Sequence, residues 1–132
     1  MISFADFVPV AGVPIYLQIL RYIQRGAAAG RIQNGDELPS RRVLSAVLGV
    51  NPNTVQKAYR LLEEKGLIRS HSGAKSCMVL TDESVRAIRQ ELLESEVRAL
   101  VTAMRQTGAS KESALALVET LWEEGEKDEA IL

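Results

Sequence analysis

The sequence is poor in cysteine, histidine and long apolar stretches. Only one cysteine and one histidine occur among its 132 residues. A single cysteine excludes an internal disulfide bond and a cysteine-rich zinc site. Because no run of about 18 apolar residues is present, we expect no membrane-spanning helix and no membrane partner. The N-terminus also lacks a basic stretch followed by an apolar core, so the expected location is the cytoplasm.

The chain also lacks the short motifs that catalysis requires. It has no phosphate-binding loop and no paired nucleophile and base, and its single histidine, His71, has no cysteine or carboxylate close in sequence. The carboxylates of residues 123–129 are expected to be a solvated tail, because no fixed loop would hold them around a metal ion. We therefore expect no catalytic residues, no metal and no cofactor.

Charge is divided unequally along the chain. Residues 1–80 contain ten Lys or Arg and five Asp or Glu, a net charge of +5. Residues 81–132 contain six and twelve, a net charge of −6, so that the whole chain carries −1. This asymmetry indicates that only the first part meets a polyanion such as nucleic acid.

The stretch from Leu48 to Glu63 predicts a turn followed by an amphipathic helix. Gly49 suits the position just after a helix end, Asn51 is a strong N-cap, and Pro52 suits the first helical position. One face is apolar, with Val55, Ala58, Tyr59 and Leu62. The other face carries Asn53, Thr54, Gln56, Lys57 and Arg60. This second face has no carboxylate before Glu63, which favours hydrogen bonds to base edges and charge contacts with phosphates.

The other elements of residues 1–80 follow the order of a winged helix-turn-helix. We expect an extended arm over 1–13, a first helix from Pro14 to about Ala29, a second helix over 41–48, and hairpin strands over 67–70 and 77–80. In the second helix, Val43, Leu44 and Val47 are expected to face inward.

The C-terminal part predicts two further helices. The first begins at Thr81 or Asp82, and its apolar stripe is too long for one partner helix to cover, which favours a symmetric second copy. The expected dimer-interface residues are Val85, Ile88, Leu92, Leu93, Val97, Leu100 and Met104. The last helix is capped by Ser110 and has Leu115, Val118, Leu121 and Trp122 inward, and residues 123–132 are expected to fray.

These residues together resemble the GntR family of transcriptional regulators, specifically its short YtrA-like branch. The resemblance covers nearly the whole chain and rests on long, correctly ordered and correctly spaced motifs. They are Pro14-Ile15-Tyr16-Leu17-Gln18-Ile19, Gly35-Asp36-Glu37-Leu38-Pro39-Ser40-Arg41-Arg42, Leu48-Gly49-Val50-Asn51-Pro52-Asn53-Thr54-Val55, Ala58-Tyr59-Arg60-Leu61-Leu62-Glu63 and Lys65-Gly66-Leu67-Ile68. The resemblance implies a homodimeric, DNA-binding and mostly repressing regulator. Its C-terminal part is too small for the ligand-binding domain of longer relatives.

The resemblance also implies which residues contact DNA. Arg42 matches an arginine at the start of the second helix that reaches the major groove or its phosphates. The recognition-helix positions are matched by Asn51, Asn53, Thr54, Gln56 and Lys57. Gly73 matches a glycine at the tip of the wing. The chain departs from the family pattern just beyond it, with Lys75 in place of a second glycine and Cys77 in place of an aromatic residue, although Lys75 adds a charge suited to phosphate.

Some sites keep more than one interpretation. The alternative for Arg42 is a plain surface cation near a helix N-terminus, and Arg41 is a further candidate for DNA contact at a position where family members vary. His71 either contacts DNA from the wing or is simply solvated. Cys77 is expected to be a buried packing thiol, with a redox sensor as the alternative.

The sequence thus predicts a mostly α fold with a small β-hairpin. A winged helix-turn-helix over residues 1–80 is followed by an α-helical dimerisation hairpin over residues 81–132. The expected function is sequence-specific binding of a homodimer to double-stranded DNA at a near-palindromic operator, as a repressor and not as an enzyme. The alternative is a winged-helix module that binds proteins. A small-molecule effector is possible, and the sequence does not identify one.

Overall fold

The structure is a computed structural model that describes residues 1–71 and 75–131, with only the backbone at 129–131. The chain forms two compact units, Met1–Leu92 and Leu93–Leu132. The boundary lies inside a helix, twelve residues after the expected boundary at residue 80, because the first turns of that helix pack on the core of the first unit. Val85, Ile88 and Leu92 make these contacts.

Helices dominate the described residues, and one small sheet accompanies them. The elements are α1 (Ile15–Ala28), β1 (Glu37–Leu38), α2 (Arg41–Leu48), α3 (Pro52–Glu64), β2 (Ile68–Ser70), β3 (Ser76–Met78), α4 (Asp82–Gln106) and α5 (Lys111–Ile131). The predicted fold class, a mostly α winged helix-turn-helix with a small β component, is confirmed. None of the helices in the described residues is long and apolar enough to cross a membrane.

The core of the first unit forms where α1 crosses α3. Ile19 and Ile23 of α1 meet Val55, Tyr59 and Leu62 of α3, and all five side chains are fully buried. Removing a side chain of this size from water contributes about 1.5–3 kcal/mol. The predicted inward face of α3 is therefore confirmed, and its burial fixes which face of α3 is turned to solvent.

The turn between α2 and α3 is built by local signals that the sequence contains. Ser40 caps α2 by accepting a hydrogen bond from the Val43 amide at 3.2 Å. Gly49 ends α2 with φ of 67°, a left-handed conformation that costs other residues about 1–2 kcal/mol. Asn51 caps α3 by accepting from the Asn53 amide at 2.8 Å. The caps and the glycine set where α3 begins.

The inner face of α2 differs from the predicted one. Leu44 is buried as expected, but Val43 and Val47 are exposed. Ser45 is buried instead, and its hydroxyl donates to the carbonyl of Val50 in the turn. A buried hydroxyl is tolerated when it has such a partner. The buried residues of this short helix are therefore Leu44 and Ser45, and neither valine is buried with them.

The sheet has a third strand beyond the predicted hairpin. Its order is β1-β3-β2, with both pairs antiparallel. The segment Glu37–Leu38 forms the edge strand β1 opposite β3. Strand β3 begins at Ser76, and it turns Ser76 and Met78 inward and leaves Cys77 half-buried. The expected buried thiol at Cys77 is therefore wrong, because the alternation in β3 buries its two neighbours.

The N-terminal arm, residues 1–13, contains no helix or strand, but turns at residues 5–6 and 11–13 interrupt the continuous extended segment that was expected. The Ile2 amide donates to the Glu37 carbonyl at 2.8 Å. Phe4 stacks on Tyr22 of α1 with ring centroids 4.8 Å apart, and Phe7 meets the same ring edge-on at 5.5 Å. The Tyr22 hydroxyl donates to the Ser3 carbonyl at 2.8 Å. Aromatic packing and the Tyr22 hydroxyl thus fix the arm against α1, and the Ile2 amide ties the start of the arm to β1.

The second unit consists of the end of α4, a turn and α5. Helix α5 continues to Ile131, so the expectation of a frayed tail after residue 123 is wrong; glutamate and lysine are good helix formers. Within one chain, α4 and α5 make few contacts with each other. The residues of α5 expected to face inward, Leu115, Val118, Leu121 and Trp122, are all exposed.

Candidate nucleic-acid interface

The exposed face of α3 is polar and free of carboxylates over most of its length. Asn51, Asn53, Gln56, Lys57 and Arg60 are exposed, and Thr54 is half-buried beside them. The carboxylates Glu63 and Glu64 come only at the C-terminal end of the helix. Amide and hydroxyl groups can exchange hydrogen bonds with base edges, and the two cations can contact phosphates. All the recognition-helix candidates therefore lie on a single surface.

Tyr59 attaches this helix to the start of α2 from inside the core. Its hydroxyl donates to the carbonyl of Pro39 at 2.6 Å, and the side chain is fully buried. Burial raises the pKa of the Tyr59 phenol well above its usual range, and the positive charge of Arg41 offsets only part of that rise. The phenol therefore stays protonated and keeps its donor hydrogen, which holds α3 at a fixed position relative to α2.

The two arginines at the start of α2 have different surroundings. Arg41 is half-buried, and its guanidinium lies 5.1 Å from the centroid of the Tyr59 ring. Its Nε is buried and makes no hydrogen bond within the described part of the chain. Arg42 is exposed. Both positive charges lie near a helix N-terminus, where the helix dipole does not favour them, and an approaching phosphate would offset that cost.

Lys57 is supported by an aromatic ring of the first helix. Its Nζ lies 4.0 Å from the centroid of the Tyr16 ring, within the range of a cation–π contact. Tyr16 is half-buried at the start of α1. A lysine ammonium on a flexible stem normally samples many positions, so this contact restricts where the charge of Lys57 is presented.

The base of the wing is described, and its tip is not. The His71 amide donates to the Lys75 carbonyl at 2.8 Å, and both side chains are exposed. The Lys75 ammonium lies 3.8 Å from a carboxylate oxygen of Glu37. The predicted tip residue, Gly73, lies outside the described residues. The Glu37 carboxylate of the edge strand β1 thus partly compensates the positive charge of Lys75.

The predicted dimer-interface stripe is divided between the two units. Ile88 is only 5% exposed and belongs to the core of the first unit, and Val85 and Leu92 pack on that core. Ile88 is therefore corrected to a core residue, because the start of α4 closes the winged helix, whereas a part for the half-buried Val85 and Leu92 in a dimer interface stays a prediction. The others lie in the second unit, where Leu93, Val97 and Leu100 are exposed and Met104 is half-buried.

Two residues that contact the candidate DNA-binding side chains were not predicted from the sequence. Tyr16 supports Lys57, and Glu37 pairs with Lys75. Both partners are distant in sequence and meet only because α1 crosses α3 and β1 joins β3, so no local pattern points to them. Both lie inside the family motifs, but those motifs do not state what each side chain contacts.

The fold and this polar, positively charged face define a winged helix-turn-helix protein of the DNA-binding class. The gntR family of bacterial regulatory proteins matches residues 15–76. The chain is 31% identical over 112 residues to the uncharacterised HTH-type transcriptional regulator YhcF of Bacillus subtilis, a match that covers 85% of this chain and 93% of that protein. Over 65 residues it is 42% identical to the HTH-type transcriptional repressor YtrA of the same species, covering 49% of this chain and 50% of YtrA.

A solved structure resembles the chain along most of its length. A GntR family transcriptional regulator from Listeria monocytogenes superposes with a TM-score of 0.74 at 29% identity, covering 85% of this chain and 98% of that chain. The chain therefore belongs to the gntR family, as its motifs predicted. It is a DNA-binding transcriptional regulator, and its family and relatives are regulators rather than enzymes.

Proposed function

We propose that this protein is a repressor that binds a near-palindromic operator as a homodimer. The observation that carries the proposal is the exposed face of α3, which presents amides, a hydroxyl and cations with no carboxylate before Glu63. In this proposal α3 enters the major groove, with Gln56 and Asn53 directed to base edges. The protein would bind its operator in the cytoplasm, where the chromosome of a bacterial cell lies.

The cations around α3 would clamp the DNA backbone. In this proposal Arg41 and Arg42 at the start of α2, and Lys57 of α3, contact phosphates on either side of the groove. The ring contacts of Arg41 with Tyr59 and of Lys57 with Tyr16 support the proposal, because they restrict where these charges lie. His71 and Lys75 would add contacts from the wing to the neighbouring minor groove. In such an interface phosphate contacts supply most of the affinity and base contacts supply the specificity.

The homodimer is supported by the apolar surface of the second unit. Leu93, Val97 and Leu100 lie on one face of α4, and α5 adds Leu117, Leu121 and Trp122, all exposed in the single chain. Since α4 and α5 make few contacts with each other, they do not cover these side chains themselves. Monomeric proteins rarely leave such a patch in water, and a symmetric partner is the common solution.

Repression, rather than activation, is supported by similarity alone. The relative YtrA is named a repressor, and it matches this chain over 65 residues at 42% identity. A dimer bound across a promoter excludes polymerase without needing any further surface. A promoter fused to a reporter gene should therefore be less active in cells that contain the wild-type protein than in cells that contain the Arg42→Ala variant.

The direct test is a titration of duplex DNA at several salt concentrations. We expect log affinity to fall linearly with log salt, with a slope of about −0.9 for each phosphate neutralised. Arg42→Ala should make the slope less negative by about one, whereas Gln56→Ala should leave the slope unchanged and relax base preference at one position. Affinity that does not change between roughly 50 and 200 mM salt would contradict the proposal and favour the protein-binding alternative.

A further inference from the structure

A cavity lies between the N-terminal arm and α1, on residues that the DNA interface does not use. Its volume is about 330 Å³, at the small end of the range for ligand pockets. The half-buried Phe7 and the exposed Val8 of the arm form one wall, and α1 forms the other, so that the cavity is open to solvent on one side. We call this cavity the arm pocket.

The polar lining of the arm pocket is dominated by arginine. Arg21 and Arg25 on α1 and Arg31 just after it contribute three positive charges, and Asp6 of the arm contributes the one carboxylate. The net charge of the lining is therefore +2. Arg21 and Arg31 have no ion-pair partner within the part of the chain that the structure describes. Guanidinium groups bind carboxylates and phosphates through paired hydrogen bonds, so this lining is suited to an anion.

Gln18 joins the arm pocket to the start of α1. Its amide oxygen accepts from the Val10 amide at 2.9 Å, and its amide nitrogen donates to the carbonyls of Val10 at 3.0 Å and Val13 at 2.8 Å. All three residues line the pocket. One side chain thus holds the end of the arm, and an occupant of the pocket would touch both Gln18 and the segment it holds.

The same turn of α1 supports the recognition helix. Tyr16 lies two residues before Gln18, and its ring carries the ammonium of Lys57 at 4.0 Å. The path from the arm pocket to α3 therefore consists of Gln18, the first turn of α1, Tyr16 and Lys57. An occupant that binds only when the arm is docked stabilises the arrangement in which Lys57 rests on Tyr16.

We propose that the arm pocket binds a small organic anion, a carboxylate or phosphate group on a compact apolar body, and that its occupancy strengthens DNA binding. The effector role rests on the proposed function described above, whereas the anion site does not. Arg21 and Arg31 bind the anionic group, and Phe7 and Val8 cover the apolar body. By linkage, bound duplex raises the affinity for the anion by the same factor.

The anion site is tested by NMR titration of the full chain with phenyl phosphate. Benzoate serves as the carboxylate probe and benzyl alcohol as the uncharged control. We expect saturable shifts of the Val10 amide and of the Gln18 side-chain amide with both anions, and none with benzyl alcohol. Arg21→Ala should weaken phenyl phosphate binding about tenfold, the loss expected for hydrogen bonds to a charged group. Arg69→Ala, which removes an exposed arginine of β2, should leave it unchanged.

Because α3 also attracts anions, the position of the shifts decides the result. Shifts centred on α3 that disappear with Arg42→Ala and persist with Arg21→Ala would overturn the site, and so would the lack of saturation at about 10 mM probe. Failure of the wild type to bind any duplex would contradict the proposed function and leave the NMR result on the anion site intact.

The effector role is tested by duplex affinity with and without saturating phenyl phosphate. The wild type should bind about fivefold more tightly with the probe, near the lower end of typical coupling. Arg21→Ala should show no such gain. Because this variant keeps α3 unchanged, it controls for any competition between the probe and DNA phosphates at α3. Equal effects of the probe on both proteins would overturn the effector role.

Discussion

The hydroxyl of Tyr59 donates a hydrogen bond to the carbonyl of Pro39 at 2.6 Å, and this bond joins the recognition helix to the segment that begins α2. Burial raises the pKa of the phenol well above its usual range, so the hydroxyl keeps its donor hydrogen at neutral pH. Helix α3 is therefore fixed to α2 by a polar contact within an otherwise apolar core. Its exposed face keeps a constant position relative to Arg42.

Tyr59→Phe should destabilise the fold without changing the polar face. The substitution keeps the ring and leaves the buried Pro39 carbonyl without a donor, which should lower the free energy of unfolding by about 1–3 kcal/mol. Urea unfolding followed by circular dichroism measures this loss. Tyr22→Phe is the matched control, because the carbonyl of Ser3 that its hydroxyl bonds lies at an exposed site where water can replace it. An equal loss in both variants would contradict the structural role of Tyr59.

Tyr16 should affect DNA affinity through Lys57. Tyr16→Leu removes the ring beneath the ammonium, and a partly exposed cation–π contact contributes about 0.5–1 kcal/mol. We expect duplex affinity to fall about two- to fivefold. Tyr16→Phe keeps the ring and should bind as the wild type does. In a Lys57→Ala background Tyr16→Leu should have no further effect, and a full additional loss there would show that Tyr16 does not act through Lys57.

Glu37→Gln should strengthen DNA binding. The Glu37 carboxylate lies 3.8 Å from the Lys75 ammonium and competes with a phosphate for that charge. Because exposed pairs are worth about 0.2–1 kcal/mol, we expect a gain of up to about fivefold in duplex affinity at low salt. Fluorescence anisotropy measures the change. Lys75→Ala should weaken binding, and Glu37→Gln should add little to it; a large gain in that background would mean that Glu37 repels DNA directly.

The sequence predicted the elements that local signals encode. Gly49 and Asn51 each mark a helix end by their own chemistry, and the apolar period of α3 identified its buried face. The solvent-exposed polar face of α3 could then be predicted as well, because it lies on the side of the helix opposite the buried face. The candidate DNA contacts on α2 and α3 are therefore residues that the sequence alone could name.

Features that depend on tertiary contacts were not predictable in the same way. Ile88 was assigned to a dimer interface because it continues the apolar stripe of α4, and nothing in the stripe shows where packing on the first unit stops. The burial of Ser45 depends on the Val50 carbonyl, and the pairing of Lys75 depends on β1 joining the sheet. Each requires two segments to meet, which a local pattern does not encode.

The double substitution Leu93→Asp and Leu100→Asp should dissociate the homodimer into monomers. Both side chains are about half exposed in the single chain and lie in the second unit, so neither substitution creates a cavity in the winged helix. Sedimentation should show a dimer for the wild type and a monomer for the double variant, with a winged helix that still unfolds cooperatively. Val47→Asp, an exposed valine of α2, is the control and should stay dimeric. If Val47→Asp became monomeric and the double variant stayed dimeric, the interface would lie in the first unit.

Selection of bound duplexes from a random pool tests operator recognition most directly. The wild-type dimer should enrich an inverted repeat whose half-site centres lie about one DNA turn apart, roughly 34–36 Å, because two-fold symmetry repeats the contacts of α3. Gln56→Ala should relax one position in each half-site, at a cost of about 1–3 kcal/mol there. No enrichment at moderate salt, or a single half-site without its inverted copy, would contradict sequence-specific binding by a symmetric dimer.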